Sequence, residues 1–268
     1  MGINWRNLAL LKSFATVGGS GASLGDLVMY GRQHNTLSGS ERARVARRLS
    51  IDPSALAGLN TEPLLRAIGA GTVTSIDVSD YEGCDVVLDL MEDVAARPDL
   101  AARLCTRFDT VLDYGTSEHV FNFPQALVNA WNMLRDGGSY IFDLPVTGWV
   151  NHGLVQFTPS YFYSVGRTPY FSLQHIFFHG KHGIVDLNEF DSALARRIHL
   201  RGKTCAWGVL IKRRPADLTD PLTLGQLRVM QVELHKPTSG LGERSRTYTL
   251  DTIADGFHRQ NQAQQRFR

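Results

Sequence analysis

The sequence predicts an α/β fold with a doubly wound, mainly parallel sheet. From about residue 60 onward, apolar runs rich in β-branched residues alternate with segments of helical periodicity, which is typical of strand–helix–strand crossover units. Polar or charged residues also follow the predicted strands, as they do where such a sheet binds a ligand. The chain has 268 residues, 43% of them hydrophobic and 20% charged, and this is enough apolar material for a full core.

The composition excludes several classes of protein. A net charge of +2 does not favour a nucleic-acid-binding protein. No apolar run approaches the ~20 residues of a membrane-spanning helix, and the first residues lack the pattern of a signal peptide or a myristoylation signal. Cys84, Cys105 and Cys205 form neither a disulfide framework nor a zinc motif. We therefore expect a cytoplasmic protein that binds neither nucleic acid nor a membrane.

The predicted elements begin with a strand at 26–31, which follows a glycine-rich stretch at 18–25. A basic helix comes next at 40–49, with Ser40 as its cap and its arginines on a solvated face. The remaining elements are, in order, a helix at 62–70, strands at 72–78 and 85–90, a helix at 92–105, a strand at 108–114, a helix at 125–134, and strands at 139–144 and 204–212.

The residues that follow the strands are the candidate site, because ligands of such sheets bind beyond the carboxyl ends of the strands. They are Gly31, Arg32, His34, Asp77, Asp89, Asp113, Tyr114, Glu118, His119, Asp143, Asn151 and His152. Asp77 is the most informative, since a carboxylate at a strand end can accept two hydrogen bonds from a ribose diol. The alternative is a turn residue, because Asp-Val-Ser-Asp is also turn chemistry, and the spacing leaves both open.

Three consecutive segments resemble a known family. They are Phe108–Val120, which contains Phe-Asp and Glu-His-Val; Ala126–Gly138, which ends in Leu-Arg-Asp-Gly-Gly; and Tyr140–Pro145. Together they resemble the block from the fourth to the fifth strand of class I S-adenosylmethionine-dependent methyltransferases, and residues 151–163 resemble one branch of that family. The resemblance covers residues 72–163, about a third of the chain.

The resemblance implies a Rossmann-like methyltransferase sheet with S-adenosylmethionine as its cofactor. Asp77 would then bind the ribose hydroxyls. Asp89 and Leu90 would meet the adenine, with the Asp89 carboxylate accepting from its amino group. Asp113 and Tyr114 would lie beside the methionine portion.

The loop after the first strand departs from the family. The family has an acidic-x-Gly-x-Gly-x-Gly pattern there, whereas this chain has only Gly31 followed by Arg32 and Gln33. Glycine matters because the backbone must approach the ligand without a Cβ in the way. The long side chains either block the methionine portion or rebuild its contact, with Arg32 pairing with the carboxylate. An insertion at about 35–60 is expected near the site, and the sheet is expected to be trimmed at 80–85, which is too short for a crossover helix.

Glu118, His119 and His152 are the predicted catalytic residues. Under the resemblance, Glu118 and His119 face the substrate. Either histidine would act as a general base for the methyl acceptor, and Glu118 would orient His119 or bind a cationic substrate. The alternative is structural, with Glu118 capping the loop and His119 packing under the sheet.

Two further features are interpreted as structural. His175, His179 and His182 have the spacing of a helical metal site, but the surrounding aromatic residues and glycines favour a strand and a turn, so no metal is expected. Residues 149–178 are strongly aromatic and are expected in the core or at a homo-oligomer interface. An acceptor pocket is the alternative for this aromatic segment. Under the resemblance, the strand at 204–212 belongs to an antiparallel end of the sheet.

The chain is therefore expected to contain an N-terminal helix and glycine-rich lead-in at 1–24, a methyltransferase-like domain at 25–236 with an aromatic-rich C-terminal half, and a polar tail at 237–268 that is mobile or bound to a partner. The expected function is methyl transfer to a small molecule, either a sugar or a biosynthetic intermediate. A non-methylating enzyme on the same fold and a non-catalytic scaffold or assembly subunit stay open as alternatives.

Overall fold

A computed structural model describes residues 2–17, 24–181, 183–187, 202–218, 221–227, 229 and 247–248. Within these residues the chain forms one nine-stranded sheet. Its strands are β1 (Gly25–Tyr30), β2 (Ala70–Asp77), β3 (Val86–Val87), β4 (Phe108–Asp113), β5 (Leu134–Thr147), β6 (Phe171–Gly180), β7 (Gly183–Asp186), β8 (Thr204–Lys212) and β9 (Thr247–Tyr248). The α-helices are α1 (Trp5–Val17), α2 (Gly39–Leu49), α3 (Glu62–Ala67), α4 (Pro98–Leu104), α5 (Phe123–Met133) and α6 (Pro159–Val165).

The strand order confirms the predicted fold class. The order is β3-β2-β1-β4-β5-β8-β6-β7-β9, and each neighbouring pair from β3 to β5 is parallel. The pairs from β5 onward are antiparallel, so the predicted strand at 204–212 is β8, at the start of an antiparallel end. The sheet is thus mainly parallel in the half that contains the predicted ligand-binding strand ends.

Helices cover both faces of the sheet. On one face, Val28 and Tyr30 of β1 pack in a core shared with α4, α5 and α6. On the other face, Leu27 and Met29 pack in a second core shared with α1, α2 and α3. This alternation along β1 is the period-2 pattern of a strand buried on both sides, and it establishes the doubly wound arrangement. α1 belongs to the same core as the sheet rather than to a separate lead-in.

Several element boundaries differ from the predicted ones for identifiable reasons. Ser38 rather than Ser40 caps α2, because Ser38 and Glu41 form a reciprocal capping box. The predicted helix at 92–105 is interrupted: a short 3₁₀ helix occupies Val94–Ala96 and α4 begins at Pro98, since proline is tolerated only in the first helical turn.

The sheet is trimmed between β2 and β3, as predicted, because the chain passes between them without a helix. β5 continues through Pro145 to Thr147 by means of an irregularity in its pairing with β8, so the proline does not end this strand. The predicted insertion at 35–60 contains α2 and a 3₁₀ helix at Pro53–Leu56.

The aromatic segment at 149–178 lies largely in the core. Phe142 stacks on Phe162 with ring centroids 4.2 Å apart, and Phe157, Phe171 and Phe178 are buried in the same cluster. This confirms the core interpretation for these rings, whereas a homo-oligomer interface stays a prediction. His175 and His179 lie on β6, as the strand interpretation required, and His182 falls outside the described residues.

Of the predicted tail at 237–268, the structure describes only 247–248, where β9 pairs with β7; the rest lies outside the described residues. Searched over its described part, the chain contains no helix with the length and apolarity required to cross a bilayer.

Candidate functional site at the carboxyl edge of the sheet

The carboxyl ends of β1, β2, β4 and β5 form one edge of the sheet, which we call the carboxyl edge. β1 lies between β2 and β4, so the chain leaves neighbouring strands toward opposite sides here, and such a switch point is where open α/β sheets bind ligands. Gly31 turns the chain after β1 with φ +65°, and a Cβ at this position would lie 2.7 Å from Thr116 Oγ1. The turn therefore requires glycine both for its dihedral and for its space.

Side chains occupy the end of β1, where the family pattern has glycines. Thr116 Oγ1 and Gln33 Nε2 both donate to the Tyr30 carbonyl, at 2.7 and 3.0 Å. Gln33 is buried, and its Oε1 atom has no hydrogen-bond partner among the described residues. A buried acceptor without a donor is uncommon in a folded protein, so this oxygen is a candidate contact for a ligand.

Arg32 points toward the β2–β3 loop. Its Nε donates to Glu62 Oε1 at 3.1 Å, and its Nη1 donates to the carbonyls of Glu82 and Gly83. The guanidinium is thus already paired with a carboxylate of the chain itself, which does not agree with the expectation that it pairs with a ligand carboxylate. Glu62 Oε2 is buried without a partner.

Asp77 and Asp89 lie at the ends of β2 and β3, half-buried. Among the described residues, Asp77 accepts two long hydrogen bonds from backbone N–H groups, at 3.3 Å from Arg32 and 3.4 Å from Ser79. These bonds stabilise the turn only weakly, and the carboxylate can accept further hydrogen bonds from a ligand. Asp89 Oδ1 accepts from the Met91 backbone at 2.9 Å.

Apolar residues lie next to these two carboxylates along the chain. Val78 and Tyr81 are 67% and 93% exposed, and Met91 is 45% exposed. Leu90, predicted to meet the adenine, is instead 5% exposed and packs in the core. Exposed apolar residues next to carboxylates at a strand end are suited to a flat, partly apolar ligand.

Asp113 and Tyr114 face the interior of the chain. Asp113 accepts from the backbone of Thr116 and Ser117 at 3.1 and 3.2 Å, and from the hydroxyl groups of Ser117 and Tyr140. The Tyr114 hydroxyl accepts from Trp207 Nε1 at 2.7 Å. Both side chains are fully buried; Asp113 stabilises the turn after β4, and Tyr114 connects β4 to Trp207 of β8. The expectation that they lie beside a methionine portion stays a prediction.

Glu118, His119 and His152, the three predicted catalytic residues, lie together in the structure, and their catalytic role stays a prediction. Glu118 Oε1 lies 3.8 Å from His119 Nε2 and 3.6 Å from His152 Nε2, and the two imidazole rings meet edge to face with centroids 4.9 Å apart. Glu118 is fully buried, whereas the His119 and His152 side chains are 48% and 32% exposed. We call these three residues the Glu-His-His cluster.

The atoms of the Glu-His-His cluster lack ordinary partners. Both Glu118 carboxylate oxygens and His152 Nε2 are buried and form no hydrogen bond among the described residues. Burial and the nearby Asp113 carboxylate raise the pKa of Glu118 to about 8. Burial lowers the pKa of both histidines. The neighbouring His152 further lowers the pKa of His119, and the positive N-terminus and Lys203 further lower the pKa of His152.

The loop that carries His152 is fixed to Glu118 through the backbone. The N–H groups of Leu154 and Val155 donate to the Glu118 carbonyl at 2.6 and 3.2 Å. Gly153 has φ +74°, and a Cβ there would lie 2.8 Å from Glu118 Cγ. The glycine therefore allows the loop to approach Glu118 closely enough for His152 to join the cluster.

A second buried polar group lies at the neighbouring ends of β5, β6 and β8. Asp143 Oδ1 lies 2.6 Å from His179 Nε2, and Asp143 Oδ2 accepts from Asn7 Nδ2 at 2.8 Å. Cys205 lies within reach of both. All three are buried, and the Asp143 oxygens are partnered, so this group connects α1 to β5 and connects β5 to β6.

Sequence reasoning singled out Asp143 only as a residue after a strand, and it did not assign Gln33 or Glu62 to the site. The signal for Gln33 was present in its position after β1. The pairing of Asp143 with His179 had no local signal, because it joins strands that are distant along the chain.

No family model matches the sequence, and no curated protein matches it. Solved structures do align with the chain. One is a Burkholderia thailandensis 1,6-didemethyltoxoflavin-N1-methyltransferase with bound 1,6-didemethyltoxoflavin and S-adenosylhomocysteine, at 13% identity and a TM-score of 0.40 over 77% of this chain and 79% of that one.

Two further alignments have similar strength. A putative methyltransferase from Bacillus halodurans aligns at 12% identity and a TM-score of 0.42 over 76% of this chain and 96% of that one. A 16S rRNA (adenine(1408)-N(1))-methyltransferase from Catenulisporales acidiphilia aligns at 12% identity and a TM-score of 0.38 over 81% of this chain and 95% of that one. At these TM-scores the alignments establish neither the fold nor the activity of this chain, and its fold rests on its own strand order.

Proposed function

We propose that the protein is an S-adenosylmethionine-dependent methyltransferase that acts on a small molecule. The observation that carries this proposal is a set of buried side-chain atoms at the carboxyl edge that have no hydrogen-bond partner among the described residues. They are Gln33 Oε1, Glu62 Oε2, both carboxylate oxygens of Glu118, and His152 Nε2. Because burying a polar atom without a partner costs about 1–3 kcal/mol, such atoms at the ligand-binding edge of a doubly wound sheet favour a ligand that supplies the partners.

Residues at the end of β2 and in the segments that follow β2 and β3 suit the nucleoside half of the cofactor. Asp77 has spare acceptor capacity for the ribose hydroxyls, and Asp89 has one oxygen left for the adenine amino group. The exposed Val78 and Met91 side chains would contact the base. These roles agree with those implied by the resemblance for Asp77 and Asp89.

The methionine half needs a revised set of contacts. Arg32 is paired with Glu62, and Asp113 and Tyr114 are committed to the interior. The unpartnered Gln33 Oε1 would instead accept from the ammonium group, and the backbone after Gly31 would border the same portion. When bound, the cofactor supplies an electrophilic methyl group on a sulfonium.

The Glu-His-His cluster would line the acceptor end. Its chemistry is to hold the acceptor in line with the donor, since positioning supplies several kcal/mol to a displacement, and to take up the proton that the acceptor loses. A small acceptor is favoured over a macromolecule because the Glu118 carboxylate is fully buried, beyond the reach of a broad surface.

Calorimetry with S-adenosylhomocysteine tests the nucleoside site. Asp77→Ala should weaken binding by about 1–3 kcal/mol, because it removes an acceptor for the ribose hydroxyls. Asp80→Ala is the matched control, an exposed carboxylate in the same turn, and should leave the affinity unchanged. If folded wild-type protein binds neither S-adenosylmethionine nor S-adenosylhomocysteine, the proposal is wrong.

One observation favours a second candidate, a non-methylating enzyme on the same fold. The Gln33 and Thr116 side chains donate to the Tyr30 carbonyl where the resembled family has glycines. They therefore occupy part of the space after β1 that the methionine portion of S-adenosylmethionine would need. Binding of adenosine without measurable binding of S-adenosylmethionine would support this candidate.

A further inference from the structure

We propose that Glu118, His119 and His152 form a binding site for a divalent first-row transition-metal ion, with Zn²⁺ as the reference ion. Two imidazoles and one carboxylate are a ligand set that such ions prefer. Three protein ligands leave coordination positions open for water or for an oxygen or nitrogen of a bound molecule. The proposal rests on the geometry of the Glu-His-His cluster and on the absence of partners for its buried atoms.

The distances within the cluster suit a shared ion better than direct hydrogen bonds. Glu118 Oε1 lies 3.6 Å from His152 Nε2 and 3.8 Å from His119 Nε2, which is longer than a hydrogen bond. Two ligands about 2.1 Å from one ion at a tetrahedral angle lie about 3.4 Å apart. The three ligand atoms all lie within 4.8 Å of one another, so side-chain adjustment would bring all three around one ion.

Burial of the Glu118 carboxylate favours the binding of a cation. Glu118 is fully buried and neither of its oxygens accepts a hydrogen bond among the described residues, and a buried carboxylate in that state is costly unless it is neutralised. His152 Nε2 is likewise buried and unpartnered. An ion between them would satisfy these atoms together. The positive N-terminus acts on Glu118 without forming a hydrogen bond to it among the described residues. Lys203, which acts on His152, stacks on Trp149, with its Nζ 4.5 Å from the ring centroid.

The ligands are held in place before an ion binds. Glu118 and His119 lie on a 3₁₀ helix at Ser117–His119, whose first residue is fixed by the buried Asp113. The loop with His152 is fixed to the Glu118 carbonyl by two backbone hydrogen bonds, and Trp149 packs on the His152 ring with centroids 5.0 Å apart. A site whose ligands are already ordered loses less conformational entropy on binding.

The neighbouring Asp143, His179 and Cys205 are a weaker metal site. Both Asp143 oxygens already have partners, His179 and Asn7, so an ion there would have to replace an existing hydrogen bond. The Glu-His-His cluster offers its carboxylate without displacing any hydrogen bond among the described residues. Because the two clusters share no residue, Glu118→Gln and Cys205→Ser show which of them binds the ion.

The position of the ion relative to the methyl acceptor rests on the proposed function. If the cluster lines the acceptor end, the open coordination positions would bind an oxygen of the acceptor and lower the pKa of a hydroxyl there. Metal binding itself does not depend on this assignment and can be measured without any nucleoside.

Zinc titration of chelator-treated full-length protein by calorimetry tests the site, with cobalt absorption spectra as a second readout. Wild-type protein should bind one Zn²⁺ per chain, and Glu118→Gln and His152→Ala should each weaken binding by about 100-fold or more. His34→Ala is the matched control: His34 Nδ1 also lies 3.8 Å from a carboxylate, that of Glu82, and its side chain is 46% exposed, but none of the other described residues joins that pair as a third ligand.

Three outcomes would overturn the metal site: no stoichiometric binding by wild-type protein, unchanged binding in Glu118→Gln, or loss of binding in Cys205→Ser. The last would assign the ion to the neighbouring cluster, and cobalt bound there would show a thiolate charge-transfer band. Circular dichroism of each variant checks folding, and the conservative Glu118→Gln retains the side-chain volume. S-adenosylhomocysteine binding is measured by calorimetry in chelator, without metal, and zinc binding is measured without the nucleoside. The loss of one kind of binding therefore does not imply the loss of the other, so a failure of the proposed function and a failure of the metal site are distinguishable.

Discussion

Buried charged side chains occur at both ends of the sheet, and their partners differ. Near the amino end of β5, Lys212 Nζ donates to the Leu134 carbonyl at 2.7 Å, lies 3.5 Å from an Asp136 oxygen and lies 3.9 Å from the centroid of the Trp131 ring. At the carboxyl edge, Glu118 is equally buried but has no hydrogen-bond partner among the described residues.

We infer from this difference that Lys212 serves the fold, whereas Glu118 has a partner only when a ligand binds, as we propose above. A buried charge that is fully partnered within the chain stabilises one arrangement, whereas an unpartnered one carries a cost that the rest of the fold must offset. Asp113 shows that a position at the carboxyl edge does not by itself leave a carboxylate unpartnered, because Asp113 ends the strand that precedes Glu118 and is fully partnered.

The largest effect is expected for Asp113→Ala. The change leaves the Thr116 and Ser117 backbone groups and the hydroxyls of Ser117 and Tyr140 without their acceptor, so the free energy of unfolding should fall by about 3–5 kcal/mol. Urea denaturation followed by circular dichroism measures this loss. A loss of less than about 1 kcal/mol would show that Asp113 is not a structural carboxylate and would remove its contrast with Glu118.

Glu118→Gln should have the opposite sign in metal-free protein. Since burial raises the pKa of folded Glu118 from its usual 4.5 to about 8, the folded state binds a proton that the unfolded state has lost between these values, and wild-type stability falls as pH rises through this window. The variant lacks this fall, so at pH 8 it should be about 1–3 kcal/mol more stable than wild type.

Denaturant unfolding in chelator at pH 5 and at pH 8 checks the second prediction, with Asp80→Ala as an exposed control. A stability difference that is the same at both pH values would contradict it. The same comparison with added Zn²⁺ should reverse the order, because bound metal stabilises only the protein that binds it.

The smallest effect is expected for Lys212→Met. Near pH 7 the lost hydrogen bond and ion pair are offset by the relief of burying an ammonium group, so stability should change by about 1 kcal/mol or less. Burial lowers the pKa of Lys212 from 10.5 to about 8, so wild-type stability should rise relative to the variant between these values. Unfolding measured at pH 7 and pH 10 gives the difference, and an effect as large as that of Asp113→Ala would break the comparison.

The sequence by itself determined the alternation of elements and which residues follow each strand. Both are local properties: β-branched runs and helical spacing fixed β2, β4 and α5 to within a few residues, and the residues after a parallel strand must lie at its carboxyl edge. Glu118 and His119 could be placed at the site for the same reason. The cap of α2 was predicted wrongly at Ser40, because several serines lie close together there and only the structure shows that Ser38 forms the capping box with Glu41.

Only the tertiary structure decided which of these residues lack a partner. Arg32 is paired because α3 brings Glu62 beside it, and Asp113 is saturated because β5 supplies Tyr140. Glu118 meets His152 only because Gly153 lets a distant loop approach its backbone. Burial and partnering depend on contacts between segments far apart in the chain, and local sequence patterns do not contain that information.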